Sequence, residues 1–288
     1  MARYFLAVIA GLMVLTLSAC AGGSSANQIS YTANAQNMEI YLIDRQTGKI
    51  LNLTNNPYDD WWPTWSKDGK QMAYASLRTG NYELYVLDVD KEEVVRITNN
   101  PADDGWPAWS PDGKYILYAT NQDDNYEVYR INTDGSSPLN LTRSQADEGL
   151  PAWSPDSRQV AFTSNRDANW EIYLTSFDGL APAQNLTNHP SGDVMPAWSP
   201  DGKKLAFVSD RNGNTDIFVF DFASQQTTQI TDNSGNDEFP AWAPDGKQIL
   251  YVSSQNGQWD VYLMNVDGTN QVNLTNDPLQ EWRPVFRP

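Results

Sequence analysis

The chain has almost none of the side chains from which metal centres and nucleophilic sites are usually built. Among 288 residues it has one cysteine, Cys20, and one histidine, His189. A single cysteine excludes an internal disulfide and a multi-thiolate site, and a single histidine excludes a metal centre that needs several imidazoles. Gly-x-Ser-x-Gly and Gly-x-x-x-x-Gly-Lys-Ser/Thr motifs are also missing. These absences favour a binding protein over an enzyme, and we expect no catalytic residues.

Positive charge is also scarce. The chain carries 19 lysine and arginine residues against 36 aspartate and glutamate residues, which gives a formal net charge of −17. Nucleic-acid backbones and anionic lipid surfaces are bound through clustered basic side chains, so this balance argues against both as partners. A protein partner is therefore favoured over nucleic acid.

Long apolar runs are confined to the amino terminus. A stretch from 5 to 17 follows Arg3; it is too short to span a bilayer but has the length of a signal-peptide core. The residues at 17–20, Leu-Ser-Ala-Cys, resemble a bacterial lipobox, and the resemblance implies cleavage before Cys20 and lipidation of its thiol. We therefore expect a protein outside the cytoplasm, periplasmic or at the cell surface, that is anchored to a bacterial membrane. The expected divisions are a signal peptide over 1–19, then Cys20 with a flexible tether over 20–28.

From residue 29 onward the sequence repeats itself. A tryptophan recurs at intervals of 44 or 45 residues, at Trp65, Trp109, Trp153, Trp198 and Trp242. Each is followed by a turn of the Ser-Pro-Asp-Gly type, in which proline presets one backbone torsion and glycine allows a positive one. Each turn precedes an apolar run, a polar loop, a second run, another turn and a short segment ending in Leu-Thr or Ile-Thr. Each repeat therefore predicts four antiparallel strands, A to D, with strand A innermost.

Four-stranded units of this length are the blades of a β-propeller. The first unit starts with a B strand at Ile29 and lacks strand A, whereas residues 283–286 at the carboxyl terminus match strand A of the other units. We therefore predict that 29–288 form an all-β, six-bladed β-propeller of four-stranded antiparallel blades. The C-terminal strand should join the N-terminal blade and so remove the open edge of the ring.

The Pro-x-Trp-Ser-Pro-Asp-Gly core of these repeats, found at 107–113, resembles the repeats of the TolB-type family of WD-like propellers. The resemblance covers the predicted propeller from end to end. It implies a domain that binds other proteins outside the cytoplasm. Because the repeats follow directly on the leader, we expect a stand-alone, monomeric propeller without the family's additional amino-terminal α/β domain.

An acid precedes strand A in every repeat, three residues before its proline, at Asp60, Asp104, Glu148, Asp193, Asp237 and Glu281. The residue just before the proline is large and apolar in five repeats, and it is aromatic at Trp62, Trp106 and Phe239. Because strand A lies nearest the axis, repeat symmetry places the six acids at one height around one mouth of the channel. We expect the acids and the three aromatic residues to bind the partner.

Three explanations of the acidic ring are open. Clustered carboxylates repel, so the ring requires something positive, and a lysine- or arginine-bearing protein segment with aromatic anchors meets that requirement. A calcium ion held by the same six acids is the second explanation, because calcium accepts six to eight oxygen ligands; no other cofactor is expected. The third is structural: each acid only accepts hydrogen bonds within its own D–A loop.

A second acid recurs in strand C, at Glu39, Glu83, Glu127, Glu171, Asp216 and Asp260. Buried acids are usually paired, so we expect a structural role there. The expected partners are the B–C loop, hydroxyls such as Ser76 and arginines such as Arg78.

The sequence therefore favours a lipid-anchored propeller that binds a protein through the acidic mouth of its channel. A carbohydrate-binding surface lipoprotein is the first alternative, because tryptophan beside carboxylates also suits sugars. A calcium-dependent propeller enzyme is the second. Leu150 and Met195, which stand before two of the prolines, fit a protein surface better than a sugar.

Overall fold

The computed structural model describes residues 27–288, which form twenty-four β-strands in six four-stranded antiparallel sheets. The predicted signal peptide and Cys20 lie outside the described residues. Each sheet is one blade, and the A strands of adjacent blades contact one another all the way round the ring. The prediction of an all-β, six-bladed propeller is confirmed. In the part of the chain that the structure describes, no helix has the length and apolar character needed to cross a membrane.

The strands follow the repeat. The first blade contains β1 (Gln28–Asn34), β2 (Met38–Asp44), β3 (Ile50–Asn52) and, as its innermost strand, β24 (Glu281–Phe286). The second contains β4 (Asp60–Trp65), β5 (Gln71–Ser76), β6 (Glu83–Asp88) and β7 (Glu93–Arg96). The third contains β8 (Asp104–Trp109), β9 (Tyr115–Thr120), β10 (Glu127–Asn132) and β11 (Leu139–Asn140).

The remaining three blades have the same order. The fourth contains β12 (Glu148–Trp153), β13 (Gln159–Ser164), β14 (Glu171–Ser176) and β15 (Gln184–Asn185). The fifth contains β16 (Asp193–Trp198), β17 (Lys204–Ser209), β18 (Asp216–Asp221) and β19 (Gln226–Gln229). The sixth contains β20 (Asp237–Trp242), β21 (Gln248–Ser253), β22 (Asp260–Asn265) and β23 (Val272–Asn273).

The carboxyl terminus closes the ring, as predicted. Strand β24 pairs antiparallel with β1, with Ile29 opposite Phe286 and Ala33 opposite Glu281. The backbone N–H of Arg287 also donates to the carbonyl of Gln28, at 2.9 Å. Closure therefore pairs the inner edge of β1, which would otherwise be open between the first and last blades.

The apolar core lies between the blades. Each large cluster of buried side chains combines neighbouring blades, as where Ala73 of the second blade packs with Trp109 and Ile116 of the third. The tryptophan that ends strand A can also bond across this boundary: the indole N–H of Trp153 donates to the carbonyl of Ala108, at 3.1 Å. Side chains of a blade therefore point mainly towards the neighbouring blades, while the edge of strand A faces the channel.

The acids of strand C hold the D–A loops. All six are buried, and Glu39 accepts the backbone N–H of Asn56 in its own D–A loop, at 2.9 Å. The N–H of Ile40, next to this acid, donates to Thr54 Oγ1 at 3.0 Å, and all six blades repeat that hydrogen bond. The loop contact recurs at Glu83, Glu127 and Glu171. The predicted hydrogen bond from the B–C loop is present in five blades, as from the side-chain amide of Asn37 to Glu39 at 3.2 Å. The D–A loop is an additional partner that was not predicted. The arginines of the B–C loop pair instead with acids of strand A.

Deleting residues 282–288 should open the ring, because it removes most of β24 and exposes the first blade to solvent. We expect the melting temperature to fall by more than about 10 °C. Deleting 21–26, which precede the described propeller, is the control and should change it by less than about 2 °C. Thermal unfolding followed by circular dichroism measures both, and equal melting temperatures would show that the last strand does not close the ring.

Candidate functional site

Strand A of every blade contains a β-bulge at its proline. In the second blade Trp62 and Pro63 together oppose one residue of strand B, Tyr74. The same register shift occurs in the other five blades. A bulge leaves one residue outside the hydrogen-bond ladder, and proline fits such a place because it has no N–H to donate.

The residue before each proline has a positive φ. The angles are 59° at Trp62, 50° at Trp106, 49° at Leu150, 57° at Met195, 55° at Phe239 and 49° at Arg283. This left-handed region favours glycine, and a larger residue held there costs of the order of 1–3 kcal/mol. None of the six repeats uses glycine at this position. We call these six the bulge residues, and they supply most of the candidate site.

Four bulge residues line the central channel. Leu150, Met195, Phe239 and Arg283 border a cavity of about 240 Å³ together with prolines and alanines of the A strands. Arg283 is the one charged side chain among these lining residues. Phe239, a predicted partner anchor, therefore faces the channel and lies apart from the other two aromatic anchors.

The other two bulge residues belong to an aromatic cluster, which consists of Trp61, Trp62, Tyr82, Trp106, Tyr126 and Trp282. The ring of Trp62 lies 4.9 Å from that of Trp106 and 5.8 Å from that of Trp61, measured between centroids. Three further ring pairs between 5.4 and 5.8 Å complete the cluster. Such separations give favourable offset and edge contacts. All six side chains stay partly exposed, so the cluster forms a surface.

The aromatic cluster and the beginning of the described chain lie on opposite faces of the propeller. The cluster surrounds the start of the A strands, where the D–A loops enter. The A strands end at the Ser-Pro-Asp-Gly-type turns, and Gln28, the first residue of β1, pairs there with the end of β24. We call the two surfaces the loop face and the turn face.

The six acids predicted to ring the channel mouth are buried inside the blades. At most 1% of each is exposed, for Asp60, Asp104, Glu148, Asp193, Asp237 and Glu281. Their hydrogen bonds come from the preceding D–A loop, as from Asn100 to Asp104 at 2.7 Å, or from their own blade, as where Arg211 donates to both oxygens of Asp193 at 2.9 and 3.0 Å. The expectation of an exposed carboxylate ring is therefore wrong. The reason is geometric: a strand of a blade points its side chains at adjacent blades, so nearness to the axis does not mean access to the channel.

The same burial removes the basis for calcium in this ring. Each of the six acids is enclosed in a different blade, so the carboxylates do not converge on one point. Within 27–288, no three or more histidine, cysteine, aspartate or glutamate side chains come together as a metal-binding group. The arrangement fits the structural explanation of the acids and gives calcium no ligand set there.

The buried acids divide into two groups by their partners. An arginine pairs with the acid in three blades, as Arg78 with Asp60, Arg166 with Glu148 and Arg211 with Asp193. Among residues 27–288, the acids of the other three blades have no ion pair with arginine. Burial raises the pKa of Asp104 and Asp237 to about 6 and that of Glu281 to about 8. Burial also raises the pKa of Asp60 and Asp193, but their arginines oppose the rise. The stability of the fold is therefore expected to depend on pH at the three unpaired carboxyl groups in particular.

Two members of the aromatic cluster, Trp62 and Trp106, were predicted from the sequence, and the other four were not. Trp61 and Trp282 occupy the position after the buried acid, which repeat comparison does not single out because the other blades carry Gly or other residues there. In the sequence Arg283 stands out only as the exception to an apolar pattern. Its place in the channel follows from the positive φ of the bulge. A glycine at this position would have indicated a positive φ from the sequence, but none of the repeats has one there.

Comparison with known proteins gives matches to TolB propellers in both sequence and structure. The family model of the TolB beta propeller domain matches residues 16–148 and 124–288. TolB from Acinetobacter baumannii is 24% identical with a TM-score of 0.83, over 92% of this chain and 68% of that one. A putative TolB from Agrobacterium tumefaciens is also 24% identical, with a TM-score of 0.73 over 86% of this chain and 88% of that one.

More distant propellers share the shape as well. An oligogalacturonate lyase solved in complex with manganese is 16% identical with a TM-score of 0.63, over 86% of this chain and 73% of that one. Likeness at these identities shows the fold alone, and the fold is compatible with both binding proteins and enzymes. No curated protein sequence gives a significant match to the chain.

Asp104→Asn should stabilise the propeller at alkaline pH. The folded-state pKa of Asp104, about 6, lies above the value of about 3.9 for an unfolded aspartate. The folded protein therefore loses stability as the pH rises from about 4 through about 6, when the buried carboxyl must ionise. Asparagine removes this loss, so we expect a gain of about 1–3 kcal/mol at pH 8 that vanishes near pH 4. Urea unfolding at the two pH values measures the gain.

Asp193→Asn is the matched control. Asp193 is paired with Arg211, so its removal leaves a largely covered guanidinium without a counter-charge. We expect a loss of about 1–3 kcal/mol at pH 8, less than for a fully buried pair because 17% of the Arg211 side chain is exposed. If both variants gain stability at pH 8, pairing with arginine does not change the contribution of a buried acid to stability, and the division into two groups is wrong.

Proposed function

The chain belongs to the TolB beta propeller domain family, and from this membership we propose that it is an extracytoplasmic, lipid-anchored scaffold that binds a protein partner. The surface we propose for the partner is the aromatic cluster on the loop face, with Phe239 at the adjoining channel. The lipid anchor is proposed at Cys20, on the lipobox-like residues 17–20. We propose binding and not catalysis, because the sequence carries no recognisable nucleophile or nucleotide-binding motif.

The aromatic cluster is the observation that carries this proposal. Its six partly exposed side chains come from three adjacent blades and form one continuous patch. Exposed aromatic side chains gathered on one face are typical of protein interfaces, in which tryptophan and tyrosine supply many of the strongest contacts. Trp62 and Trp106 are held by their bulges, so little freedom is lost when a partner binds them.

We propose that the buried acids of the first three blades, Glu281, Asp60 and Asp104, serve this surface indirectly. Asp60 accepts hydrogen bonds from Asn56 of the D–A loop and from Arg78, so it fixes the start of β4 just before Trp62. Asp104 accepts one from Asn100 at 2.7 Å and fixes the start of β8 before Trp106 in the same way. The acids thus hold the aromatic side chains in position without themselves touching the partner.

We further propose that the turn face lies toward the membrane. β1 starts on that face, and a tether of about eight residues from Cys20 spans roughly 16 Å, by about 5–6 Å times the square root of the residue number. Exposed basic side chains follow the turns and are compatible with anionic headgroups, at Lys70, Lys114, Arg158, Lys203 and Lys247. The loop face, with its aromatic cluster, then points away from the lipid and is open to a partner.

Carbohydrate is the alternative ligand that a specific observation favours. Trp61, Trp62, Trp106 and Trp282 present neighbouring indole rings, and such rings also stack on sugars. The protein partner is preferred because the adjoining channel is lined by aliphatic side chains, including Leu150 and Met195. Aliphatic side chains pack well against apolar protein segments and offer no flat surface to a sugar ring.

Replacing both Trp62 and Trp106 by alanine should abolish binding of the partner. Two interface hot-spot side chains are each worth at least about 2 kcal/mol, so the combined loss exceeds about 100-fold in affinity. The measurement uses each immobilised variant to capture material from solubilised envelopes of the source bacterium. One portion of the captured material is treated with protease and another with periodate, which destroys sugars. Loss on protease treatment supports a protein partner, and loss on periodate treatment supports carbohydrate.

Trp170→Ala is the matched control for this experiment. Trp170 is an indole that is 41% exposed and lies outside the aromatic cluster, before β14 of the fourth blade. We expect the control to bind as the wild type does, and all variants to keep the wild-type circular dichroism spectrum. Equal capture by the double variant and the wild type would remove the aromatic cluster from the proposal.

Cysteine labelling on intact vesicles tests the orientation. Gln145→Cys lies in an exposed position of a D–A loop, and Asp112→Cys lies in an exposed Ser-Pro-Asp-Gly turn. If the turn face lies toward the lipid, a membrane-impermeant maleimide should modify residue 145 several times faster than residue 112. In detergent, where no bilayer covers either face, the two rates should be similar. Faster labelling of residue 112 on vesicles contradicts the proposed orientation.

A further inference from the structure

The channel holds a cation without a counter-charge. Arg283 borders the cavity of about 240 Å³, and its Nη1 atom is buried without a hydrogen-bond partner among residues 27–288. The ion pairs of the buried acids engage other arginines, namely Arg78, Arg96, Arg166 and Arg211. A chain with a net charge of −17 thus leaves its one channel arginine unpaired.

Repeat symmetry shows that this charge is not required by the fold. The equivalent bulge residues in the other five blades are all apolar: Trp62, Trp106, Leu150, Met195 and Phe239. An apolar side chain at this position therefore completes a blade. The side chain of Arg283 is partly exposed to the channel, but its Nη1 atom is removed from water without a partner. A buried polar atom without a partner is unfavourable, so Arg283 costs stability that its five counterparts do not. Burial also lowers its pKa to about 10, and no nearby carboxylate opposes that shift.

The surroundings of Arg283 define what the channel can accept. The lining is formed by Leu150, Met195, Phe239 and the prolines and alanines of the A strands, so it offers contacts to apolar groups. The six acids of the A strands are enclosed in the blades and do not compete for the guanidinium. An arginine can donate two parallel hydrogen bonds to a carboxylate, and this pairing is strong where water is largely excluded.

We propose that the channel binds a carboxylate attached to a small apolar group, with Arg283 as its counter-ion. The apolar group occupies the space beside Leu150, Met195 and Phe239. Two sources supply this chemistry: a small carboxylic acid, or the last residue of an extended polypeptide. The inference goes beyond the proposed function, which rests on the aromatic cluster and uses the channel only as its border at Phe239. Binding of a carboxylate at Arg283 and binding of a partner at the aromatic cluster can each fail without the other.

Titration calorimetry with defined probes tests this site in the full chain purified in detergent. N-acetyl-leucine should bind about 10- to 100-fold tighter than N-acetyl-leucinamide, the difference expected for hydrogen bonds to a charged group. An acetylated Ala-Ala-Leu peptide with a free carboxyl terminus, and its amide, form the second pair. Tighter binding of the peptide acid identifies a polypeptide end as the source, and tighter binding of N-acetyl-leucine identifies a small acid.

Arg283→Met places in the first blade the residue that the fifth blade has at Met195. It should reduce the affinity for each acid to that of its amide and raise the melting temperature, since an unpaired charge is removed. Arg283→Gln is the second variant, which keeps a polar side chain without the charge and should lose the preference for acids equally. Arg158→Met, at an exposed position of a turn, is the control and should bind as the wild type does.

Three results would overturn the site. The first is equal affinity of the wild type for an acid and its amide. The second is an unchanged preference for acids in both Arg283 variants. The third is binding of sulfate as tight as that of N-acetyl-leucine. The last result would mean that the apolar lining contributes nothing. Because none of these probes is the partner from envelopes, the outcome is independent of the aromatic-cluster experiment.

Discussion

A buried carboxylate in strand C is the interaction on which the loop face of this propeller depends. It accepts a hydrogen bond from the threonine two residues after strand D in several blades, as from Thr187 to Glu171 at 2.5 Å. It also accepts one from the backbone of the D–A loop in four blades. Each D–A loop delivers the chain from the rim of one blade to the centre of the next. When that loop is fixed, the start of strand A is fixed as well. The position of the bulge follows, and the bulge directs its side chain towards the loop face or the channel.

The scaffold is nearly sixfold symmetric, whereas the side chains it presents are not. The aromatic cluster occupies the loop face of the first three blades, and aliphatic side chains of the fourth and fifth blades line the channel. Arg283 adds one charge to a ring of otherwise apolar bulge residues. Since the repeated residues build every blade alike, the departures from the repeat are the places where a particular ligand is selected.

The periodicity of the sequence was sufficient to predict the fold. Trp65 and its four counterparts fix the repeat length, and the match of 283–286 to strand A implies closure by the last strand. The site was predicted only in part, because spacing gives the height of a residue along the axis but not the direction of its side chain. Asp104 and Trp106 are two positions apart, yet one is enclosed in a blade and the other is partly exposed. The bulge between strands A and B decides this difference, and nothing short of the backbone torsion at Trp106 reveals it.

The arrangement of the first blade determines how the molecule bears mechanical load. β1 lies between β2 and β24, so the amino-terminal end of the propeller is hydrogen-bonded on both sides. A pull applied through that end acts along the strand, while the hydrogen bonds of both ladders run across it. The ladders are therefore loaded in shear, and many bonds must break together before the blade yields. A load on the amino-terminal end is therefore resisted by the same β1–β24 pairing that closes the ring.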